Sequence, residues 1–366
     1  MNKKTPVTII SGSIGSGKTT LINELVSASK DMNTAVISHE PKPVTVVEPI
    51  GQVRKYKKRT LASTYTVCTS TMEELLEEMK KLAAINDIDY IFMELAGTVE
   101  AFPITYMLYN PEDEDAYSIL EDIYIDNIVT VIDTTNFWLD FTSDKQIHYQ
   151  HPLTHHMTEM MMADLLINQI EWCNLLLMNK YKHVNKERIN ELEWFLEKLQ
   201  PAGEIVKLDS GDTLAKYLFY RRTFDMEEMS KASAFLGEKT DESNVLKVVG
   251  EYGIGSFVYK REGSFHYERF RKWLEQLPQE ILRSKGIVSF SEDKKRGFLS
   301  QAGPSITLEM EEESSIGRRS EEKIELHFIG IELPCKDIID ALDACLEPAQ
   351  ENRTLMEKCK DISGFK

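Results

Sequence analysis

Residues Gly12-Ser13-Ile14-Gly15-Ser16-Gly17-Lys18-Thr19 fit the pattern G-x-x-x-x-G-K-[ST], directly after the apolar run 7–11 and directly before an amphipathic stretch that opens at Lys18 and Thr20. No other feature narrows the fold as far. A glycine loop between strand and helix lets backbone N–H groups converge on phosphates, and the helix N-terminus adds a positive dipole. In such a loop Lys18 reaches the β and γ phosphates and the Thr19 hydroxyl binds Mg²⁺.

The pattern around the loop predicts a parallel sheet with crossover helices. Strands are expected at 7–11, 34–38, 89–93, 127–132, 174–178 and 204–208, and helices at 18–28, 71–84, 153–172 and 186–199. Around 224–244 the composition shifts to Glu, Lys, Ser and Met. Beyond it, strands are expected at 256–259, 287–291, 305–310 and 323–329, helices at 266–277 and 337–346, and an exposed loop at 311–322 around Gly317. The expected fold class is α/β: a P-loop NTPase domain with a mostly parallel sheet (1–224), a linker (225–244), a smaller α+β domain (245–350) and a tail (351–366).

Composition excludes several functions. The formal charge of −17 and the absence of a basic block leave no footprint for nucleic acid or an anionic membrane. No apolar run approaches the ~20 residues that cross a bilayer, and the five scattered cysteines suit a reducing compartment, so a cytoplasmic protein is expected.

A second acidic element belongs at the edge that carries the loop. The expected strand 89–93 runs into Glu94-Leu95-Ala96-Gly97, which puts Glu94 at a strand end beside the Mg²⁺ and water site. The Gly97 backbone N–H is suited to sensing the γ-phosphate. Lys18, Glu94 and Gly97 are therefore the candidate catalytic set.

These residues resemble the CobW-like metallochaperone GTPases, relatives of the nickel-insertion GTPases for urease and hydrogenase. Gly12 to Thr20 with Leu21-Ile22-Asn23 is similar to the family's opening. Glu94 to Gly97 with Glu100 and Pro103 is similar to its E-x-x-G-x-x-[DE] segment, and Gln169-Ile170-Glu171-Trp172 through Asn179-Lys180 to the stretch ending in the base-reading N-K-x-D. Phe265-His266, Arg283 to Gly286, Gln301 to Gly303 and Ile329-Gly330 resemble the C-terminal domain, with the zinc-homeostasis branch nearest. The resemblance implies Mg²⁺-dependent hydrolysis of GTP (or ATP) coupled to delivery of a transition metal, Zn²⁺ first among candidates, to a client metalloprotein or metal-homeostasis protein. A homodimer is left open.

Three departures set this chain apart. Where the family has C-x-C-C, Tyr65 and Val67 replace two thiols and Cys68 remains, so Cys68 reads more readily as a lone buried cysteine than as a ligand. His148, His151, His155 and His156 offer a substitute, with His151 and His155 one helical turn apart if that segment is helical. In the base-reading tetrad Lys182 stands for Asp and has only donors to offer guanine, so ATP use is open; Asn185 or Glu187 would have to supply the acceptor. In the first switch, His39-Glu40-Pro41-Lys42-Pro43 carries two stiffening prolines. The second reading is a nucleotide-binding switch or scaffold with a degenerate metal site and weak hydrolysis. His266 reads as a capping or core residue, Arg283 and Lys285 as solvated, Asp133 as without a role, and Met157 to Met162 as helix core.

Overall fold

The computed structural model describes residues 4–29, 31–39, 64–69, 71–85, 87–150, 157–208, 215, 217–233, 248–249, 253–292, 295–311 and 323–347. The chain separates into two compact units, residues 1–238 and 239–366.

In the first unit β1 (Thr5–Ser11) leads into α1 (Lys18–Ala28), β2 (Thr34–His39), β3 (Thr64–Thr69), α2 (Met72–Ala83), β4 (Tyr90–Leu95), α3 (Ala101–Tyr109), α4 (Glu114–Ser118), β5 (Ile123–Asp133) and α5 (Phe137–Phe141). Then come β6 (Gln146–Gln150), β7 (Met157–Met161), α6 (Met162–Glu171), β8 (Leu175–Asn179), α7 (Lys186–Leu199), β9 (Glu204–Lys207) and α8 (Met226–Ser233). Seven strands form one sheet in the order β3-β2-β4-β1-β5-β8-β9, every pair parallel. The central strands are apolar throughout because helices cover the sheet: Ile10, Phe92, Val129 and Leu177 are buried with Leu21 and Leu25 of α1.

Polar groups inside this core form a chain. Asn127 Nδ2 donates to Thr8 Oγ1 (3.3 Å), Thr8 Oγ1 meets the Tyr90 hydroxyl (2.7 Å), and that hydroxyl donates to Asp126 Oδ2 (2.6 Å). Burial, and then the Asp126 charge, push the Tyr90 phenol well above its ordinary range, so it remains a donor. Asp126 also accepts from the Arg222 backbone N–H, which straps residues 222–224 to β5.

The stretch 153–172, expected as one helix, divides. Met157–Met161 is a strand paired antiparallel with Gln146–Gln150, His148 opposite Glu159, and the helix begins only at Met162. Of the Met run, Met157–Met161 is therefore strand, and only Met162 is buried helix. The alternation that would mark such a strand is obscured because consecutive methionines suit either period. His151, His155 and His156 lie outside the described residues, as does 312–322 with Gly317. Within the expected linker, α8 is a formed helix with Met229 buried.

The second unit has β10 (Val248–Val249), β11 (Ile254–Glu262), α9 (Tyr267–Leu274), β12 (Ile281–Ser289), β13 (Arg296–Ala302), β14 (Ser305–Met310), β15 (Lys323–Ile331) and α10 (Cys335–Asp343). Its antiparallel sheet runs β10-β11-β15-β12-β13-β14, and Phe270, Leu274, Ile338 and Leu342 of the two helices pack on Phe257, Leu326 and Phe328. Arg283 and Lys285 are buried, against expectation. β12 starts at Ile281 and lies between β15 and β13, so these residues fall inside a central strand, and Arg283 donates to Ser300 Oγ (2.8 Å) and Gln301 O (3.0 Å). Among the described residues no helix is long and apolar enough to cross a membrane.

Tyr90→Phe breaks the polar chain and deprives the buried Asp126 of a donor. We expect a loss of about 1–3 kcal/mol, read as a lower urea midpoint by tryptophan fluorescence in a Trp273→Phe background.

Candidate functional site

The loop 12–19 leaves the carboxyl end of β1, the middle strand, with β4 and β5 on either side. Register then fixes what surrounds it. Ile10 is level with Glu94 of β4, Ser11 with Thr130 of β5, and Asp133 with Asn179 of β8. The carboxyl ends of these strands, with Glu94, Asp133 and Asn179 on them, thus lie at one edge of the sheet, where ligands of open α/β folds bind.

The loop's shape needs glycine at two contacts. Gly12 has φ +136°, and a Cβ there would meet Val131 O at 2.4 Å; Gly17, at φ +104°, would meet Asn179 Nδ2 at 2.3 Å. Gly17 also stands at the N-cap of α1, which has no side-chain cap and no acidic residue in its first turn. By contrast, α2 is capped by Thr71 and α7 by Asn185. A helix start without a side-chain cap suits an anion.

Inside the loop, the buried Lys18 ammonium donates to Gly12 O (2.7 Å) and Ser13 O (3.0 Å). Ser16 Oγ is buried without a hydrogen-bond partner, a polar atom that a phosphate oxygen would satisfy. Ile14 and Gly15 are exposed at the tip. Thr20 is exposed on the first turn of α1, and Thr19 Oγ1 donates to Glu94 Oε1. A hydroxyl and a carboxylate in contact at a phosphate loop form a hard oxygen pair that fits Mg²⁺.

Gly97 lies against the loop: a Cβ on it would come within 2.4 Å of Ile14 Cγ1 and 2.6 Å of Ile14 N. Its carbonyl, and that of Val99, accept from Gln169 Nε2 (3.3 and 3.2 Å), while Thr130 Oγ1 donates to Gln169 O (2.6 Å). Gln169 thereby ties the Gly97 turn to α6 and β5, a task not read from the sequence; its signal was a buried amide on the apolar face of Leu165, Leu166 and Ile170. Nearby, burial pushes the Glu100 carboxyl up, with Asn168 donating to it (3.0 Å).

On the other flank, Asn179 Nδ2 donates to Ser16 O (2.8 Å) and its Oδ1 accepts from Lys180 N (2.8 Å). Lys180 adopts a left-handed backbone (φ 59°), and its ammonium bonds Gly15 O (2.8 Å) and Asp133 Oδ2 (2.6 Å). Asp133, given no role from sequence, is the buried counter-ion of this lysine. Burial raises its carboxyl, but donors from Lys180, Thr135 and Asn136 outweigh that and hold it below the usual range. Lys182 sits in the short turn Tyr181–His183, its ammonium 5.8 Å from the Tyr181 ring centroid. Asn185 Oδ1 accepts from Arg188 N (2.9 Å) as the α7 cap, so it is committed to the helix rather than to a base.

Cys68 is exposed on β3, correcting the expectation of a buried thiol. Ser38 pairs with Cys68 on one side and Glu94 on the other, so the thiol is level with Glu94 two strands away, about 10 Å by strand spacing. His151 and His155 lie outside the described residues, and His148 is exposed on β6.

Fold and site together define a P-loop nucleotide-binding protein. The chain belongs to the CobW family of P-loop GTPases: residues 6–207 match the CobW/HypB/UreG nucleotide-binding domain and residues 254–346 the cobalamin synthesis protein cobW C-terminal domain. It is 28% identical over 322 residues to the zinc-regulated GTPase metalloprotein activator 1 of Dictyostelium discoideum, covering 84% of this chain and 67% of that protein. It is 25% identical over 228 residues to the zinc chaperone CobW of Pseudomonas aeruginosa, covering 57% of this chain and 58% of the relative, so the match spans little more than half of that protein. Among solved structures, Zn(II)-bound YjiA GTPase from E. coli aligns over 94% of this chain and 100% of its own at 16% identity and a TM-score of 0.43.

At the end of β2, His39 is buried, bonds Thr69 Oγ1 (3.0 Å), and has its pKa lowered to about 4 by burial, the charge of Glu74 offsetting this only in part. The folded protein thus binds fewer protons at His39 than the unfolded chain between the folded value and the ordinary 6.5. Stability contributed here is full above that ordinary value and falls as pH drops toward the folded pKa, by about 3 kcal/mol across the window. We expect His39→Asn to remove this slope in urea midpoints measured at several pH values.

Proposed function

We propose that the chain is a Mg²⁺-dependent nucleoside triphosphatase of the GTPase type whose nucleotide cycle governs delivery of a transition metal, zinc first among candidates, to a client metalloprotein or metal-homeostasis protein. The observation that carries the reading is the convergence of the loop 12–19, Glu94 and the Gly97 turn on one edge. The names of the two relatives, a zinc-regulated activator and a zinc chaperone, support the metal half.

In this reading the N–H groups from Ser13 to Thr20 receive the phosphates, and Lys18 exchanges its loop carbonyls for β and γ oxygens. Thr19 and Glu94 would hold Mg²⁺, which supplies neutralisation of charge developing on the γ-phosphate. Glu94 orients the attacking water; as the water–phosphorus bond forms, the bond to the β-γ bridging oxygen breaks, leaving a nucleoside diphosphate and inorganic phosphate, with one water proton released to solvent. Gly97, packed on Ile14, reports the γ-phosphate through Gln169 to α6. Asn179 and the stem of Lys180 flank the base. Cys68 with His151 and His155 is the candidate transition-metal set, and the reducing cytoplasm, where such thiols stay available, the place of action.

Steady-state phosphate release with GTP and with ATP tests this. We expect slow Mg²⁺-dependent turnover, lowered about 10²-fold by Glu94→Gln with nucleotide binding kept, and nucleotide binding itself lost in Lys18→Ala. Nucleotide binding without turnover in the wild type would instead establish the switch or scaffold reading, which Lys182 and the loss of two thiols at Tyr65 and Val67 favour. On the base, Lys182→Asp should raise the preference for GTP over ATP about 10²-fold by restoring a paired acceptor.

A further inference from the structure

We propose that the C-terminal unit carries a divalent-cation site of its own, built by His266, Glu292 and Glu347 and suited to a zinc-class ion rather than to Mg²⁺. It does not rest on the nucleotide reading above, since all three residues lie in the second unit.

Three segments far apart in sequence meet there: the approach to α9, the chain after β12 and the chain after α10. Their backbones are joined by hydrogen bonds. Phe265 N donates to Ser289 O (2.8 Å), Ser291 N to Phe265 O (3.1 Å), His266 N to Cys345 O (2.9 Å) and Glu347 N to Ser264 O (2.9 Å). The Phe265 ring is fully buried and stacks on Phe270, with centroids 4.7 Å apart, which anchors the junction to the core. The platform that carries the three side chains is therefore fixed by the fold.

On it, one ligand atom from each of His266, Glu292 and Glu347 lies within 4.8 Å of the others. His266 Nδ1 is shielded from solvent and makes no hydrogen bond, although Glu292 Oε1 is 3.3 Å away. A buried ring nitrogen facing a carboxylate without bonding it calls for a third partner. Ligands about 2.1 Å from a tetrahedral ion stand about 3.4 Å apart, so the separation of these two atoms is that of groups sharing a metal. The other Glu292 oxygen, Oε2, accepts from Tyr267 N (3.0 Å) and Ser291 Oγ (3.3 Å), which orients the carboxylate with Oε1 toward the imidazole.

The donor set selects the ion. One neutral imidazole and two carboxylates balance a charge of +2 and leave a fourth tetrahedral position open. Imidazole suits zinc and its neighbours, whereas Mg²⁺ takes oxygen ligands and retains its waters.

The test is a titration of the full chain, stripped by chelator and free of nucleotide, with Co²⁺ followed by visible d–d absorption and with Zn²⁺ against a chromophoric chelator. A background of Cys68→Ser, His151→Gln and His155→Gln removes the candidate ligands of the first unit. We expect one ion to bind in this background, and His266→Gln and Glu347→Gln each to weaken it at least about tenfold. Glu347→Gln leaves the Glu292 contact to α9 intact, and thermal midpoints are recorded for both variants. No ion bound in the background protein would reduce the cluster to a His266–Glu292 ion pair and overturn the site. So would unchanged binding in a Glu347→Gln protein that melts like its parent.

Discussion

The approach of Gly12 to the backbone of β5 is the constraint on which the nucleotide edge depends. With Val131 O where a Cβ would stand, β1 can leave the sheet beside its neighbour only as glycine. That departure turns the loop across the strand ends and starts α1 with its N–H groups toward them. The same closeness recurs where Gly97 meets Ile14, so the turn after β4 rests on the loop's own backbone. A packed backbone contact of this kind does not deform continuously, which is what makes it suited to transmit a change in the loop.

Parallel register supplies the rest of the geometry. Each crossover returns the chain to the same end of the sheet, so Asp133 and Asn179, far apart in sequence, arrive level with one another, and Glu94 ends β4 at the same edge, level with Val129 four residues before Asp133. The buried chain from Asn127 through Thr8 and Tyr90 to Asp126 lies toward the opposite ends of the same strands. Its hydrogen bonds are demanding in geometry, and a one-residue slip of β1 against β4 or β5 would leave Asp126 or Tyr90 unpartnered in the core. Polar satisfaction below thus holds the register that brings Glu94 and Asp133 to one edge above.

Much of the first unit was legible because its signals are local. The glycine pattern, the apolar strands and the helices at 18–28 and 186–199 each declare themselves within a short window. What escaped depended on partners. The strand pair 146–150 and 157–161 has no alternation strong enough to oppose the helical spacing of its methionines, and β3 offered a motif position rather than a strand signal. Asp133 and Gln169 gained their tasks only when Lys180 and the Gly97 turn were brought to them. In the second unit Arg283 and Lys285 looked solvated because basic residues usually are. The neighbours that cover them, β13 and β15, come later in the chain.

The base-side edge shows how support and recognition divide. Lys180 is held at Gly15 O and Asp133, and Asn179 at Ser16 O, so both residues brace the loop through contacts that involve no base. Their geometry therefore does not depend on a base. In the proposed reading, discrimination falls to the short turn at 181–183, where Lys182 presents a donor while guanine's N1–H and amine need an acceptor. Asn185 cannot readily take over while it caps α7. On that reading the loop stays phosphate-directed while the choice of base relaxes, because the two properties reside in different side chains.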